Sequence, residues 1–328
     1  MHNKKNIPIS LVAGAAGFIG SHLCECLLNE GKRVVAVDNF SRGQKRYLER
    51  HVNNPDFKLL SADLSQRDDT SYTFEEAAKQ GTISEVWHLA ANSDISAGVA
   101  DGDIDLKDTF LTTVEILKAM KLHCVRELYF ASSSAIYGDL GDQQLHENIG
   151  PLMPISNYGA MKLASEALIS ASCEAELDKA CVFRFPNVVG APATHGVIYD
   201  FIHKLIANPE CLEVLGNGTQ QKAYLHVSDL ISAMIAFRAR TDTSKREVIN
   251  IGPIDTGVTV KWIAEQVVSR INPLAQIKYG KGNKGWIGDV PKFHYSTEKL
   301  QSYGWQPKLG SAEAVRSAIN EIADQLGQ

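Results

Sequence analysis

Along its first 130 residues the chain alternates between short apolar, β-branched runs and longer stretches with the 3.6-residue spacing of an amphipathic helix. The pattern predicts strands over 7–13, 33–37, 57–61, 85–90 and 127–132. It predicts a helix over 18–30 ended by Gly31, with further helical patterns at 74–79 and 104–122. Strands that are apolar along their whole length are buried on both faces, as in a parallel sheet covered by helices. The βαβα order therefore predicts an α/β fold, a Rossmann-type doubly wound parallel sheet over 1–182. Past that point Pro186, Pro192, Pro209 and Pro253 cut the pattern into shorter pieces, which predicts a smaller C-terminal α+β lobe over 183–328. The apolar run 248–251 reads as one more buried strand, so segments near 225–252 are expected to return to the first domain.

Composition narrows the class without changing this picture. Among 328 residues, 44% are hydrophobic and 22% charged, which excludes a disordered chain, a collagen-like fibre and a disulfide scaffold. The net charge of -5 argues against a large basic surface for nucleic acid. Cys24, Cys26, Cys124, Cys173, Cys181 and Cys211 are scattered, with no CxxC pair and no His at metal-ligand spacing. They read as free thiols in a reducing cytoplasm, and no metal is expected. The basic start at Lys4 and Lys5 before an apolar run mimics a secretory signal, but small residues and glycines interrupt the run. No stretch approaches the ~20 apolar residues of a membrane span.

The first chemistry-bearing motif is Gly14-Ala15-Ala16-Gly17-Phe18-Ile19-Gly20, between the first predicted strand and the first predicted helix. Glycines there allow a tight turn and a close backbone approach to a pyrophosphate at the helix N-terminus. Alone, such a loop also fits a plain structural turn. Asp38 sits at the end of the second strand, close to the ~20-residue offset of a carboxylate that accepts ribose hydroxyls. A carboxylate at that place repels a 2′-phosphate and favours NAD over NADP, although the nearby Arg42 could accommodate that phosphate. Further on, Tyr158 and Lys162 stand four apart, on one face of a helix. In isolation the pair also fits a surface Tyr and Lys. Beside a dinucleotide, a Lys ammonium and a positive nicotinamide ring would lower the phenol pKa and make Tyr158 a base.

The series GxxGxxG, Val37-Asp38-Asn39, Asp63-Leu64 and His88-Leu89-Ala90-Ala91 resembles the extended short-chain dehydrogenases/reductases. Within them it resembles the nucleotide-sugar epimerase/dehydratase branch, from about residue 9 to 307, in the manner of the UDP-glucose 4-epimerases. The resemblance implies a cofactor set of Gly14, Ala16, Gly17, Phe18, Ile19, Gly20, Asp38, Asn39, Ser41, Arg42, Asp63, Leu64, Leu89, Ala90, Ala91, Tyr158, Lys162 and Phe185. It places the third catalytic group, beside Tyr158 and Lys162, at Ser133. Dehydratases of the family carry an Asp-Glu pair directly after that residue, and decarboxylases usually keep the Glu. Here the positions hold Ser134 and Ala135, so both reactions are disfavoured and epimerisation is left.

For the substrate the resemblance implies Ser133, Asn187, His195, Val197, Lys222, Tyr224, Lys284, Trp286, Asp289 and Phe293. Lys222 and Trp286 stand where relatives carry diphosphate-binding arginines, and Thr109 where many carry an Asn. A large aromatic at the position of Phe293 disfavours an N-acetyl group and points to UDP-glucose or UDP-galactose, interconverted through a 4-keto intermediate. A dehydrogenase or reductase exchanging free NAD(P), an epimerase of a UDP-N-acetylhexosamine or UDP-uronic acid, and a non-catalytic dinucleotide sensor remain alternatives. The helices near 104–122 and 157–173 resemble those that pair family members as homodimers through a four-helix bundle.

Overall fold

A computed structural model describes residues 8–141, 143–241, 244–282 and 294–328. The chain separates into two compact units. The first comprises Met1–Ile136, Pro154–Arg184 and Met234–Ile249; the second comprises Tyr137–Met153, Phe185–Ala233 and Asn250–Gln328.

Seven strands form the main sheet: β1 (Pro8–Ala13), β2 (Arg33–Asp38), β3 (Phe57–Ser61), β4 (Thr82–His88), β5 (Glu127–Ala131), β6 (Lys179–Arg184) and β7 (Arg246–Asn250). Their order is β7-β6-β5-β4-β1-β2-β3, and the pairings from β3 through β6 are parallel. The doubly wound Rossmann-type sheet expected from the pattern is present. Its helices are α1 (Phe18–Asn29), α2 (Arg67–Ala78), α3 (Thr112–Leu122) and α4 (Asn157–Ala175). Ile9, Leu11, Val35, Val37, Val86, Leu128, Phe130 and Val182 pack with Phe74, Ile116, Met120 and Ile169 into one buried cluster.

The differences from the pattern have local causes. Helix α2 starts at Arg67 rather than near 74, because Asp68 and Asp69 suit the positive end of a helix dipole but break the apolar spacing. Strand β4 ends at His88, which leaves Leu89, Ala90 and Ala91 in the loop that follows. The predicted helix 104–122 is interrupted, with a short turn Gly102–Asp105, a π-helical turn Leu106–Leu111 and then α3. Such single π turns occur often at functional sites. Strand β6 carries the apolar run Ala180-Cys181-Val182-Phe183 but has no turn signal to separate it from α4, and the pattern leaves it unmarked.

Two features tie the first unit together. Trp87 of β4 stacks on Tyr129 of β5 at 4.3 Å, and Tyr129 lies parallel to Phe183 of β6, so an aromatic ladder crosses three strands. Beside it the buried Glu85 accepts bonds from the Ser10 hydroxyl at 2.5 Å and from the Arg238 guanidinium at 2.7 Å. The second unit gathers the helices Val197–Ala207, Val260–Ile271 and Ser311–Gln325 around Phe201, Ile202, Val267 and Ile319, with short two-stranded pairings at its margins. Among the described residues, no helix is long and apolar enough to cross a membrane.

Removing one partner of a buried ion pair strands the other charge, at a cost of about 3 kcal/mol or more. Arg238→Ala is therefore expected to lower the unfolding free energy by about 3 kcal/mol in a denaturant titration. Glu115→Ala, whose Lys118 partner is exposed, should change it by about 0.5 kcal/mol or less.

Candidate active site

A parallel sheet delivers the ends of all its strands to one edge, and the residues singled out in the first unit collect there. Gly14 leaves β1 with φ +79°, and a methyl group on it would stand 2.7 Å from the backbone nitrogen of Ala90. A methyl group on Gly20 would stand 2.1 Å from the Gly14 carbonyl oxygen, so α1 reaches the loop only with glycine at that place. The loop is fixed by N–H bonds from Gly14 and Ala15 to the Val37 carbonyl at 2.9 and 3.1 Å. Gly17 caps α1 without a side-chain bond, and the first turn carries no acidic residue. The first N–H groups of α1, around Phe18 and Ile19, thus keep their donor capacity and the positive end of the helix dipole for an anion.

Beside this loop the Asp38 carboxylate, 8% exposed, accepts the Ala16 N–H at 2.9 Å and the Phe40 N–H at 2.8 Å. Burial pushes its pKa up, and these two bonds oppose the rise. Asn39 accepts the N–H and hydroxyl of Ser41 at 3.0 and 2.8 Å, which tightens the turn after β2. Arg42 is paired with Asp94 of the loop after β4. Asp63 accepts the Ser65 hydroxyl at 2.7 Å and faces the Lys107 ammonium at 3.0 Å. Burial alone would raise its pKa, but the Ser65 and Lys107 bonds together hold it low. Leu64 is buried, while Leu89, Ala90 and Ala91 are half-buried.

At the end of β5, the Ser133 hydroxyl faces the half-buried Tyr158 phenol, and its oxygen accepts the Ala135 N–H at 3.1 Å. Lys162, one turn further along α4, is 2% exposed and donates to the Ala131 carbonyl at 2.6 Å. Its ammonium lies 5.8 Å from the centre of the Tyr158 ring. From the sequence, the Lys162 ammonium together with a bound nicotinamide ring is expected to lower the Tyr158 pKa. In the chain by itself, burial instead pushes Tyr158 up to about 12, with the nearby Ser133 hydroxyl opposing the rise and the Asp105 charge adding to it. Burial likewise pushes Lys162 down to about 7, while Glu166 and Asp105 hold its proton on.

Several partners of this group carry no sequence motif. Glu166, one turn beyond Lys162 on the same face of α4, accepts the Ser132 hydroxyl and a two-pronged Arg184 guanidinium at 3.0 and 2.6 Å. Asp105 is fully buried; one oxygen accepts from Asn92 at 2.9 Å, and the other has no hydrogen-bond partner among the described residues. The Thr113 hydroxyl lies between the Thr109 carbonyl, the Ser165 hydroxyl and His88 Nε2, at 3.1, 3.0 and 2.9 Å. Burial first, and then the Lys162 charge, hold His88 neutral. His88 and Thr109 belong to the family series named above, Glu166 has only its four-residue spacing from Lys162, and Asp105, Thr113, Ser132, Ser165 and Arg184 carry no such spacing.

The remaining candidates belong to the second unit or lie outside the described residues. Phe185 is half-buried, and Asn187 is exposed at the start of a short strand paired with Tyr224. Tyr224 packs in the apolar core of its unit. His195 is exposed and bonded to Thr194, and Val197 opens a helix whose cap Gly196 has φ +101°. Lys222 is half-buried and pairs with Val258 across a two-stranded ribbon. Lys284, Trp286, Asp289 and Phe293 lie outside the described residues.

Residues 10–252 match the NAD dependent epimerase/dehydratase family. The chain belongs to that family. A UDP-glucose 4-epimerase of Corynebacterium glutamicum is 29% identical to it, over 91% of this chain and 90% of the relative. A crystal structure of a UDP-galactose 4-epimerase is 32% identical, with TM-score 0.84 over 97% of this chain and 99% of that one. The structure of MoeE5 with UDP-glucuronic acid and NAD is 28% identical, with TM-score 0.81 over 96% and 99% of the two chains. NAD is the cofactor of this family, and the glycine cradle, the uncapped start of α1 and the Asp38 carboxylate fit it.

Gly20→Ala should force α1 away from the loop. Purified variant protein is expected to carry less than about a tenth of the wild-type NAD when extracts are assayed for the nucleotide, because the displaced helix start loses close contact with the pyrophosphate.

Proposed function

We propose that the protein interconverts UDP-glucose and UDP-galactose by epimerisation at carbon 4. The observation that carries this reading is the gathering of Ser133, Tyr158 and the buried Lys162 at the end of β5, with Ser134 and Ala135 in place of an acidic pair. That set holds one base and its supports, and no second acid for elimination at neighbouring carbons. When bound, NAD supplies a hydride acceptor that can return the hydride, which is what inversion at a carbinol carbon requires.

In this reading Tyr158 takes the proton of the sugar 4-hydroxyl. Ser133 hydrogen-bonds both the phenol and the reacting sugar oxygen, and so favours the phenolate. Lys162, anchored on the Ala131 carbonyl, holds a positive charge beside the phenolate, and Glu166 with Arg184 keeps that ammonium in place. Since Tyr158 starts high through burial, the positive charges near it decide whether it works as a base at neutral pH. We assign the cofactor roles to the first-unit residues of the cradle and the sugar-nucleotide roles to Asn187, His195, Val197 and Lys222. The preference for a plain hexose rests on the sequence position of Phe293. A UDP-uronic acid is the second reading, supported by the likeness to MoeE5. We further place the enzyme in the cytoplasm as a homodimer. Its six free cysteines and the exposed Leu106 and Leu111 on the π-helical turn support this.

Purified protein mixed with UDP-galactose is expected to form UDP-glucose without added NAD, and Tyr158→Phe should lower the rate by about 10²-fold or more. Interconversion of UDP-glucuronic acid alone would favour the second reading. Net consumption of added NAD would instead point to a dehydrogenase. Ser133→Ala removes a bond that favours the phenolate, so the acid limb of the kcat/KM profile should move to higher pH. The shift should be about one pH unit, because a hydrogen bond to a charged group is worth ~1.5 kcal/mol or more.

A further inference from the structure

We propose that Arg42 and Asp94 form a clasp that closes over the dinucleotide groove and slows release of NAD. The inference rests on NAD binding and is independent of which sugar is the substrate.

The sheet order supplies the first argument. Asp38 stands at the end of β2 and the Ser133–Tyr158–Lys162 group at the end of β5, with β1 and β4 between them. A dinucleotide held at both places has to cross the ends of β1 and β4. Arg42 lies in the loop after β2 and Asp94 in the loop after β4, so their ion pair joins the two loops that flank the glycine loop of β1.

The second argument is that both halves are fixed before they meet. On one side the Gln44 N–H reaches back to the Ala16 carbonyl at 3.0 Å, and Gly43 lies so close to Asp38 that a methyl group there would stand 2.6 Å from the carboxylate. On the other side Asp94 accepts the Ala97 N–H at 3.0 Å and donates its own N–H to the Asn92 side chain at 2.9 Å. Asn92 in turn donates to the buried Asp105 at 2.9 Å and, through its backbone N–H, to the Thr109 hydroxyl at 3.2 Å. The long Arg42 side chain therefore meets a carboxylate that is already oriented, which reduces the ordering entropy that makes most exposed ion pairs worthless. The pair also directs the Arg42 guanidinium to the chain itself, a different task from holding a cofactor phosphate.

The test uses wild-type protein loaded with the fluorescent analogue etheno-NAD and chased with excess NAD. The variants are Arg42→Gln, Asp94→Asn, which keeps an oxygen for the Ala97 cap, and the double variant. Each single variant is expected to release the analogue about fivefold faster, the upper end for an exposed but preorganised pair. The double variant should be no faster than either single one, since one interaction is lost in all three. Salt at 1 M, where charges are screened beyond about 3 Å, should bring the wild type to the variants' rate. Release at or below the wild-type rate in Asp94→Asn would overturn the clasp, as would single effects that multiply in the double variant. An effect of Arg42→Gln with none from Asp94→Asn would also overturn it, and would mark a direct contact of Arg42 with the cofactor. Thermal melts matching the wild type exclude unfolding as the cause of faster release.

Discussion

Most of the first unit is organised around one costly act, the burial of the Lys162 ammonium. An ion taken out of water is tolerated only when fixed partners replace its hydration. Here the Ala131 carbonyl accepts a hydrogen bond from it, the face of the Phe130 ring lies 4.7 Å away, and the Glu166 and Asp105 charges lie near. Glu166 would itself be an unpaired buried charge without Arg184 at the end of β6 and Ser132 after β5. The chain of requirements thus runs from α4 through β5 to β6, and it holds Ser133 and Tyr158 at the place where β5 ends. Packing and chemistry depend on the same bonds.

The second constraint is the backbone around Gly14, Gly17 and Gly20. It brings α1 into contact with the β1 turn more closely than any side chain permits, and Asp38 then locks onto the Ala16 N–H. Because neighbouring parallel strands end at one edge, the cradle and the Lys162 group share that edge although about 140 residues separate them in sequence. The π-helical turn at Leu106–Leu111 adapts the helix behind the site. Thr109, in that turn, takes an Asn92 bond on its hydroxyl and offers its carbonyl to Thr113.

Much of this was legible in the residues. The apolar runs announced six strands of the sheet, β1 to β5 and β7, because a strand buried on both faces leaves a continuous hydrophobic trace. The glycine spacing and Asp38 announced a dinucleotide, because tight turns and ribose contacts demand those residue types at that offset. Tyr158 and Lys162 were marked by helical spacing and Ser133 by resemblance. Residues whose meaning depends on burial leave no such trace. Asp105 sits in a run of aspartates, Asp101, Asp103 and Asp105, that reads as a solvated surface, yet its carboxyl is fully enclosed.

The sequence by itself determined the class of fold, the cofactor and the three side chains of the proposed chemistry. The fold, the cofactor and the Tyr158–Lys162 pair are written in local spacing, which survives without knowledge of the fold, whereas Ser133 is marked by resemblance. Only the tertiary structure decided the pKa shifts around the site, with Tyr158 raised and Lys162 and His88 lowered. It alone also decided the pairing of Arg42 with Asp94 and of Arg184 with Glu166. The physical reason is that desolvation and Coulomb energy depend on distances through space, and those distances join residues that the chain keeps far apart.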